Sequence, residues 1–258
     1  MGKRMRSTYG RDSREITVTA EGLPAWLEPV ARALRDVEPQ QLSRYLPPET
    51  GGRRSAVLVL FGEGPEGPEL LLLERAGTLR SHAGQSSFPG GALDPEDGDP
   101  ADGGLVRAAL REAEEETGLD PSGVQVFGVL PDLYIPVSGF VVTPVLGWWR
   151  EPSPVGPVDP AETARVFAVP VTELTDPAKR ATAVHPSGHR GPVFHLDEAL
   201  VWGFTAGGDR PHPALRGLGA ALGRRPGGPA RLELLTAVPR PRRPAAVPPT
   251  TAMRGTLR

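Results

Sequence analysis

Apolar positions along the chain fall into blocks of two different periods. Between residues 24 and 37, Trp26, Leu27, Val30, Ala31, Leu34 and Val37 recur on one side of a helical wheel. Pro24 suits a first turn, so an amphipathic helix is predicted over 24–37. Residues 56–61 and 70–74 are short, nearly continuous apolar runs and read as strands, joined by the turn-rich stretch 62–68. Further strands are predicted over 124–130 and 141–148, with a turn at Ser138-Gly139. A proline-rich loop follows over 151–160, then a strand over 163–169 and a helical turn over 171–174. Residues 193–196 and 200–202 are expected to pair late in the domain. Between these strands, residues 105–117 return to helical spacing. Val106, Leu110, Ala113 and Thr117 form the buried stripe, and Gly118 is placed to cap the C-terminus. Mixed strands with one central helix and another at the edge predict an α/β sandwich.

The polar face of that central helix carries the candidate chemistry. Residues 111–119 read Arg-Glu-Ala-Glu-Glu-Glu-Thr-Gly-Leu. Glu112, Glu115 and Glu116 stand at i, i+3 and i+4 and project from one face. Like charges at that spacing cost an isolated helix roughly 0.2–0.5 kcal/mol per pair. A divalent cation turns the repulsion into coordination, and hard oxygen ligands suit magnesium or manganese beside a phosphate-bearing substrate. A glutamate-rich run on its own is equally a solvated face. The stretch upstream shifts the balance: Phe88-Pro89-Gly90-Gly91 is a tight glycine-rich turn where backbone can approach a ligand closely. Glu114 points away from the cluster and is expected in solvent.

Arg111, Glu112, Ala113, Glu115, Glu116, Gly118 and Leu119 resemble the second half of the Nudix box, REUxEExGU, where U is a bulky or aliphatic residue. The first half departs from the pattern of a Gly, five residues, a Glu and seven residues before Arg-Glu. Counted back from Arg111, the Glu position holds Gly103. Nineteen residues separate Gly91 from Arg111, and they carry Asp94, Glu96, Asp97, Asp99 and Asp102, an acidic and lengthened loop. A second resemblance is narrower. Leu71-Leu72-Leu73-Glu74-Arg75, Leu79-Arg80-Ser81-His82-Ala83-Gly84-Gln85 and Phe88-Pro89-Gly90-Gly91 are similar to the segment LLTxRSxxLRxHxGxxxFPGG of the coenzyme A pyrophosphatase branch, with Leu73 and Ala76 as departures. Residues 162–170 and 201–206 also resemble that branch.

The resemblance implies an α/β/α sandwich around a mixed sheet, and hydrolysis of coenzyme A to 4′-phosphopantetheine and adenosine 3′,5′-bisphosphate. It implies Mg2+ or Mn2+ held by Glu112 and Glu116, with Glu115 as third ligand or as the group that orients or deprotonates the attacking water. Arg111 joins the catalytic set in a supporting role, holding the glutamates. A carboxylate outside the box often supplies the base in this family, and Glu162 is the candidate. Arg75, Arg80 and His82 are candidates for the nucleotide side, since arginine forks suit phosphate; the main chain of Gly90 and Gly91 is expected near metal or phosphate. Trp148, Trp149 and Trp202 are expected in the core rather than stacked on adenine. The alternatives are a diphosphatase for another nucleoside derivative, such as ADP-ribose or a dinucleotide, and a non-catalytic ligand-sensing module. Retention of Glu112, Glu115 and Glu116 favours catalysis.

Composition sets outer bounds. A chain of 258 residues is one generous domain, or one domain with appendages. The expected division is an N-terminal extension with a helix over 1–40, the catalytic domain over 41–206, and a tail over 207–258. Zero cysteines exclude disulfides, thiolate metal sites and thiol catalysis. No apolar run approaches membrane-spanning length, and Lys3, Arg4 and Arg6 lead into no apolar segment, so a cytoplasmic protein with no membrane partner is expected. The expected partners are a small-molecule substrate and a second copy of the chain in a homodimer. The net charge of −2 hides an asymmetry: residues 207–258 hold ten Arg against Asp209 and Glu233, a local +8 that leaves −10 for the rest. An acidic body suits a site that concentrates metal. The Pro/Gly/Arg-rich tail reads as a disordered extension rather than a nucleic-acid-binding segment.

Overall fold

The computed structural model describes residues 16–43, 45–79, 82–136, 138–184, 190–196 and 200–202. In chain order the elements are α1 (Glu28–Ala33), α2 (Pro39–Leu42), β1 (Arg53–Gly64), β2 (Gly67–Arg75), β3 (Ser86–Ser87), β4 (Gly90–Ala92), α3 (Gly104–Thr117), β5 (Val124–Val129), β6 (Leu133–Ile135), β7 (Phe140–Trp149), β8 (Thr163–Pro170), α4 (Val171–Thr175), β9 (Arg180–Val184), β10 (Arg190–His195) and β11 (Leu200–Trp202). β1 and β2 form an antiparallel hairpin closed at Gly64↔Gly67. β8 lies antiparallel along β2, and β7 runs parallel to β1. β5 and β6 both pair antiparallel with β7. One parallel pair among antiparallel ones makes the main sheet mixed.

The period-2 alternation of β1 and β2 explains why their sequences read as unbroken apolar runs: both faces of these strands are covered. Ala56, Leu58, Leu60 and Leu71 face α3, where they meet Leu105, Val106, Ala108, Ala109 and Ala113. Val59, Phe61, Leu70 and Leu72 face the opposite layer, with Leu27 and Val30 at α1 and Val171 and Leu174 of α4. Helices therefore cover both sides of a mixed sheet, as expected. Leu23, Leu27, Val30 and Leu42 are buried in that second layer together with the β1–β2 hairpin. The main-chain N–H of Thr19 donates to Val126 O on β5. The segment before β1 is thus part of the same core.

Two expectations are corrected. The helix predicted over 24–37 is α-helical only from Glu28 to Ala33 and ends in a 3-10 turn at Leu34–Asp36. Pro29 lies in its first turn; deeper in a helix that residue would cost about 3 kcal/mol, so the helix begins where Pro29 is tolerated. It cannot continue because Glu38 precedes Pro39 and is held extended (φ −90°, ψ 144°). Pro39 instead opens α2, where Glu38 and Gln41 cap reciprocally. The second correction is at Gly90-Gly91, which is strand rather than turn: Ala56 pairs with Gly91 and Val57 with Gly90. A Cβ on Gly90 would overlap Ala56 O and Val57 Cα, so the glycine is required by close packing of two strands. The acidic, lengthened loop contains two 3-10 turns, Pro95–Asp97 and Pro100–Asp102.

The late pairing is as expected, with Val193↔Trp202 and Phe194↔Val201 in a small sheet of β9, β10 and β11. No helix among the described residues is long and apolar enough to cross a membrane. The tail over 207–258 lies outside the described residues.

Candidate active site

α3 is bounded by two left-handed glycines, Gly103 (φ 77°) at its start and Gly118 (φ 70°) at its end. The N–H of Gly118 donates to Glu114 O, and the Thr117 hydroxyl donates to Ala113 O at 2.6 Å. With the apolar stripe locked on the sheet, the glutamates face β4 and the loop before the helix. Glu114 is exposed, as expected.

Arg111 organises this face. Its Nε and Nη2 donate to the two carboxylate oxygens of Asp97 at 3.0 and 2.9 Å. Its Nη1 donates to Glu112 Oε1 and Glu115 Oε2, both at 3.0 Å, and Nη2 also reaches Ala92 O at 3.1 Å. The hydrogen bonds to Asp97 raise the guanidinium pKa above its ordinary value, against its own desolvation. Asp97 is fully buried and also accepts from the Asp94 N–H at 2.9 Å.

Sequence reasoning missed Asp97 as a site residue. Counting back from Arg111 pointed to Gly103. Counting forward from Gly91 by the same pattern, five residues and then a carboxylate, arrives at Asp97. The six extra residues therefore lie between Asp97 and Arg111, not before the acid. Arg107 secures the inserted stretch: its buried Nε donates to Asp97 O and its Nη2 to Asp102 O at 2.8 Å. The signal was present in the spacing, read from the other end.

Glu116 is the most constrained of the glutamates. Its side chain is 12% exposed, accepts the Gly90 N–H at 2.9 Å and lies 3.7 Å from Arg75 Nη1. Burial pushes its pKa up to about 7; the Gly90 N–H and Arg75 oppose the rise, and the charges of Glu112 and Glu162 add to it. Burial also raises the Glu112 carboxyl, with Arg111 opposing. A Cβ on Gly91 would fall inside the Glu112 carboxylate, so only glycine leaves that acid its place.

The NUDIX domain family model matches residues 52–188. This chain belongs to the Nudix family. It is 41% identical to an uncharacterized Nudix hydrolase, NudL, of Cronobacter sakazakii, over 67% of this chain and 85% of that protein. The NudL of Citrobacter koseri is 38% identical over 69% of this chain and 88% of its own length. A solved NUDIX hydrolase from Alicyclobacillus acidocaldarius is 20% identical over 50% of this chain and 83% of that one, with a TM-score of 0.39. As a Nudix hydrolase the protein acts on pyrophosphate bonds, and the family uses divalent metals such as Mg2+ or Mn2+.

The donor set of this Nudix helix fits such a cation. It offers hard carboxylate oxygens, and the burial that raises Glu116 leaves that carboxylate short of compensating positive charge. Among the described residues no three His, Cys, Asp or Glu side chains are grouped to hold a metal as they stand. Arg111 donates to Glu112 and Glu115, while Glu116 accepts from Gly90 and lies 3.7 Å from Arg75.

The remaining candidates are brought around this helix to different degrees. Glu162 lies close enough for its charge to raise Glu116, and its carbonyl accepts the Ala76 N–H at 2.8 Å. Glu115 is more open than Glu112 and Glu116, at 58% exposure. His82 has a positive φ of 58°, and its Nδ1 is hydrogen-bonded with Gln85 Oε1 at 2.8 Å. Gln85 O in turn accepts the Arg75 N–H, and Arg75 O accepts the Gly84 N–H, both at 3.0 Å. Trp148 and Trp149 are buried, Trp148 edge-on to Trp26 at 5.5 Å between ring centroids. Arg80 and the side chain of Trp202 lie outside what is described.

Proposed function

We propose that this Nudix hydrolase cleaves the pyrophosphate of coenzyme A or its derivatives, releasing 4′-phosphopantetheine and adenosine 3′,5′-bisphosphate. One observation carries the reading. The separate pieces of the coenzyme A branch segment converge on a single wall of the site: Arg75 ends β2 beside Glu116, the His82–Gln85 loop is hydrogen-bonded to Arg75, and Gly90 donates to Glu116. A motif that marks substrate choice thus touches the acids expected to perform the chemistry.

Glu112 and Glu116 would hold the divalent cation, Mg2+ or Mn2+, with Glu115 as third ligand or as the group that orients the attacking water. Such a cation neutralises diphosphate charge and lowers the pKa of water. Arg111 keeps Glu112 and Glu115 in register through its anchorage on Asp97. Glu162, whose charge reaches Glu116, is the candidate to take the proton of the water. Arg75, Arg80 and His82 are the residues assigned to the nucleotide side, with Arg80 assigned to the 3′-phosphate.

The test is a product assay with coenzyme A, ADP-ribose and diadenosine polyphosphates in parallel, with Mn2+ or Mg2+ and with chelator. Metal-dependent release of adenosine 3′,5′-bisphosphate ahead of the other products is expected. Preferred turnover of ADP-ribose or a dinucleotide would move the protein to another nucleoside diphosphate substrate. A folded sample inert on all three would support a ligand-sensing module.

A further inference from the structure

We propose that Arg75 is a resident counter-ion of the metal site: it holds Glu116 while no cation is bound, and it turns to the substrate diphosphate when a cation takes its place. The proposal rests on the reading of Glu112 and Glu116 as metal ligands, and it adds a coupling between metal loading and substrate binding.

The two arginines of the site are built differently. Every guanidinium nitrogen of Arg111 is engaged, and its paired bonds to Asp97 make it a fixed strut. Arg75 has no such anchorage. Its Nη1 stands 3.7 Å from Glu116 Oε1, near enough for charge attraction but too far for a hydrogen bond. Its Nε is buried with no hydrogen-bond partner. A buried donor left unpaired is costly, so this side chain is not at rest in its best-satisfied arrangement.

The backbone beneath it is clamped. Arg75 N–H donates to Gln85 O and Arg75 O accepts from Gly84, while the neighbouring Ala76 N–H donates to Glu162 O. The β2–β8 register shifts between Glu74 and Arg75, a bulge that re-aims the side chain at this point. Only the side chain is therefore free to change partner. A divalent cation at Glu116 replaces the attraction felt by Arg75 with repulsion. A diphosphate next to that cation offers the guanidinium fork several anionic oxygens and a partner for its idle Nε. Metal and substrate should bind with positive coupling, since each favours the displaced arginine.

This arrangement predicts opposite effects on the two ligands. Removing the charge of Arg75 removes a competitor for Glu116, so metal should bind more tightly, while substrate should bind more weakly. The experiment titrates Mn2+ alone, with free ion read by electron paramagnetic resonance, into the full chain and the variants Arg75→Met, Arg75→Lys and Glu116→Gln. Arg75→Met keeps the apolar stem and is expected to lower the Mn2+ dissociation constant about three- to fivefold, the upper range for an ion pair too long for a hydrogen bond. Arg75→Lys keeps the charge and should stay close to the parent. In turnover, Arg75→Met should raise KM. Should Met disturb the end of β2, Arg75→Gln carries the same expectation. Equal or weaker Mn2+ binding in the neutral variants, with binding lost in Glu116→Gln, overturns the counter-ion proposal and leaves the metal site standing. No Mn2+ binding to the parent chain overturns both.

Discussion

Replacing Glu116 by Gln is expected to make the metal-free protein more stable at alkaline pH while abolishing turnover. The folded-state pKa of Glu116 is raised from 4.5 to about 7. A group with a raised folded pKa contributes its stability in full below the unfolded value and loses it as pH rises through the folded one. The parent protein is therefore penalised from about pH 5 upward, fully so above pH 8. At ~1.4 kcal/mol per unit the penalty is about 3 kcal/mol, with little solvent to screen a side chain this buried. Gln can still accept the Gly90 N–H, and the attraction of Arg75 for the carboxylate is already contained in the raised value. The gain at pH 8.5 is ~3 kcal/mol, or about 6–12 °C in Tm for a domain of this size. At pH 5 the parent carries a neutral glutamic acid and the gain should vanish. The assay is thermal unfolding of both proteins in chelator at pH 5 and 8.5. A variant less stable than the parent at pH 8.5, or a difference independent of pH, would refute the claim that burial of the Glu116 charge outweighs its compensation by Arg75 and the Gly90 N–H. Added Mn2+ should raise the Tm of the parent and leave the variant unmoved.

Other expectations follow from the same contacts. Asp97→Ala leaves the Arg111 charge poorly exposed and without its paired acceptor, and should cost about 3–5 kcal/mol in urea unfolding; a loss under 1 kcal/mol would show that Asp97 is not its anchor. Gly91→Ala drives a methyl into the Glu112 carboxylate, so Mn2+ affinity should fall about tenfold or more, as read by calorimetry; unchanged affinity would remove Glu112 from the ligand set. Arg80→Ala should raise KM for coenzyme A far more than for dephospho-coenzyme A, which lacks the 3′-phosphate; steady-state kinetics showing equal effects would remove Arg80 from that role.

Local order was legible in the residues alone. Unbroken apolar runs marked β1 and β2 because strands covered on both faces need apolar side chains at every position. Gly118 marked the end of α3, and the i, i+3, i+4 spacing placed Glu112, Glu115 and Glu116 on one face, because helix geometry is a property of adjacent residues. Pro29 and Glu38-Pro39 carried the true limits of the first helix, although the apolar stripe outweighed them. Tertiary structure alone decided which partner each charged group meets. The Arg111–Asp97 clamp depends on where six inserted residues loop out, and the spacing from either end allows a different answer. Gly90 reaches Glu116 only because β4 adds to β1 while α3 docks on the same sheet. Arg75 and Glu162 approach Glu116 through the register of β2 and its bulge against β8. Periodicity sets which face a side chain occupies; sheet register and helix docking, acting over long separations in the chain, set what it finds there.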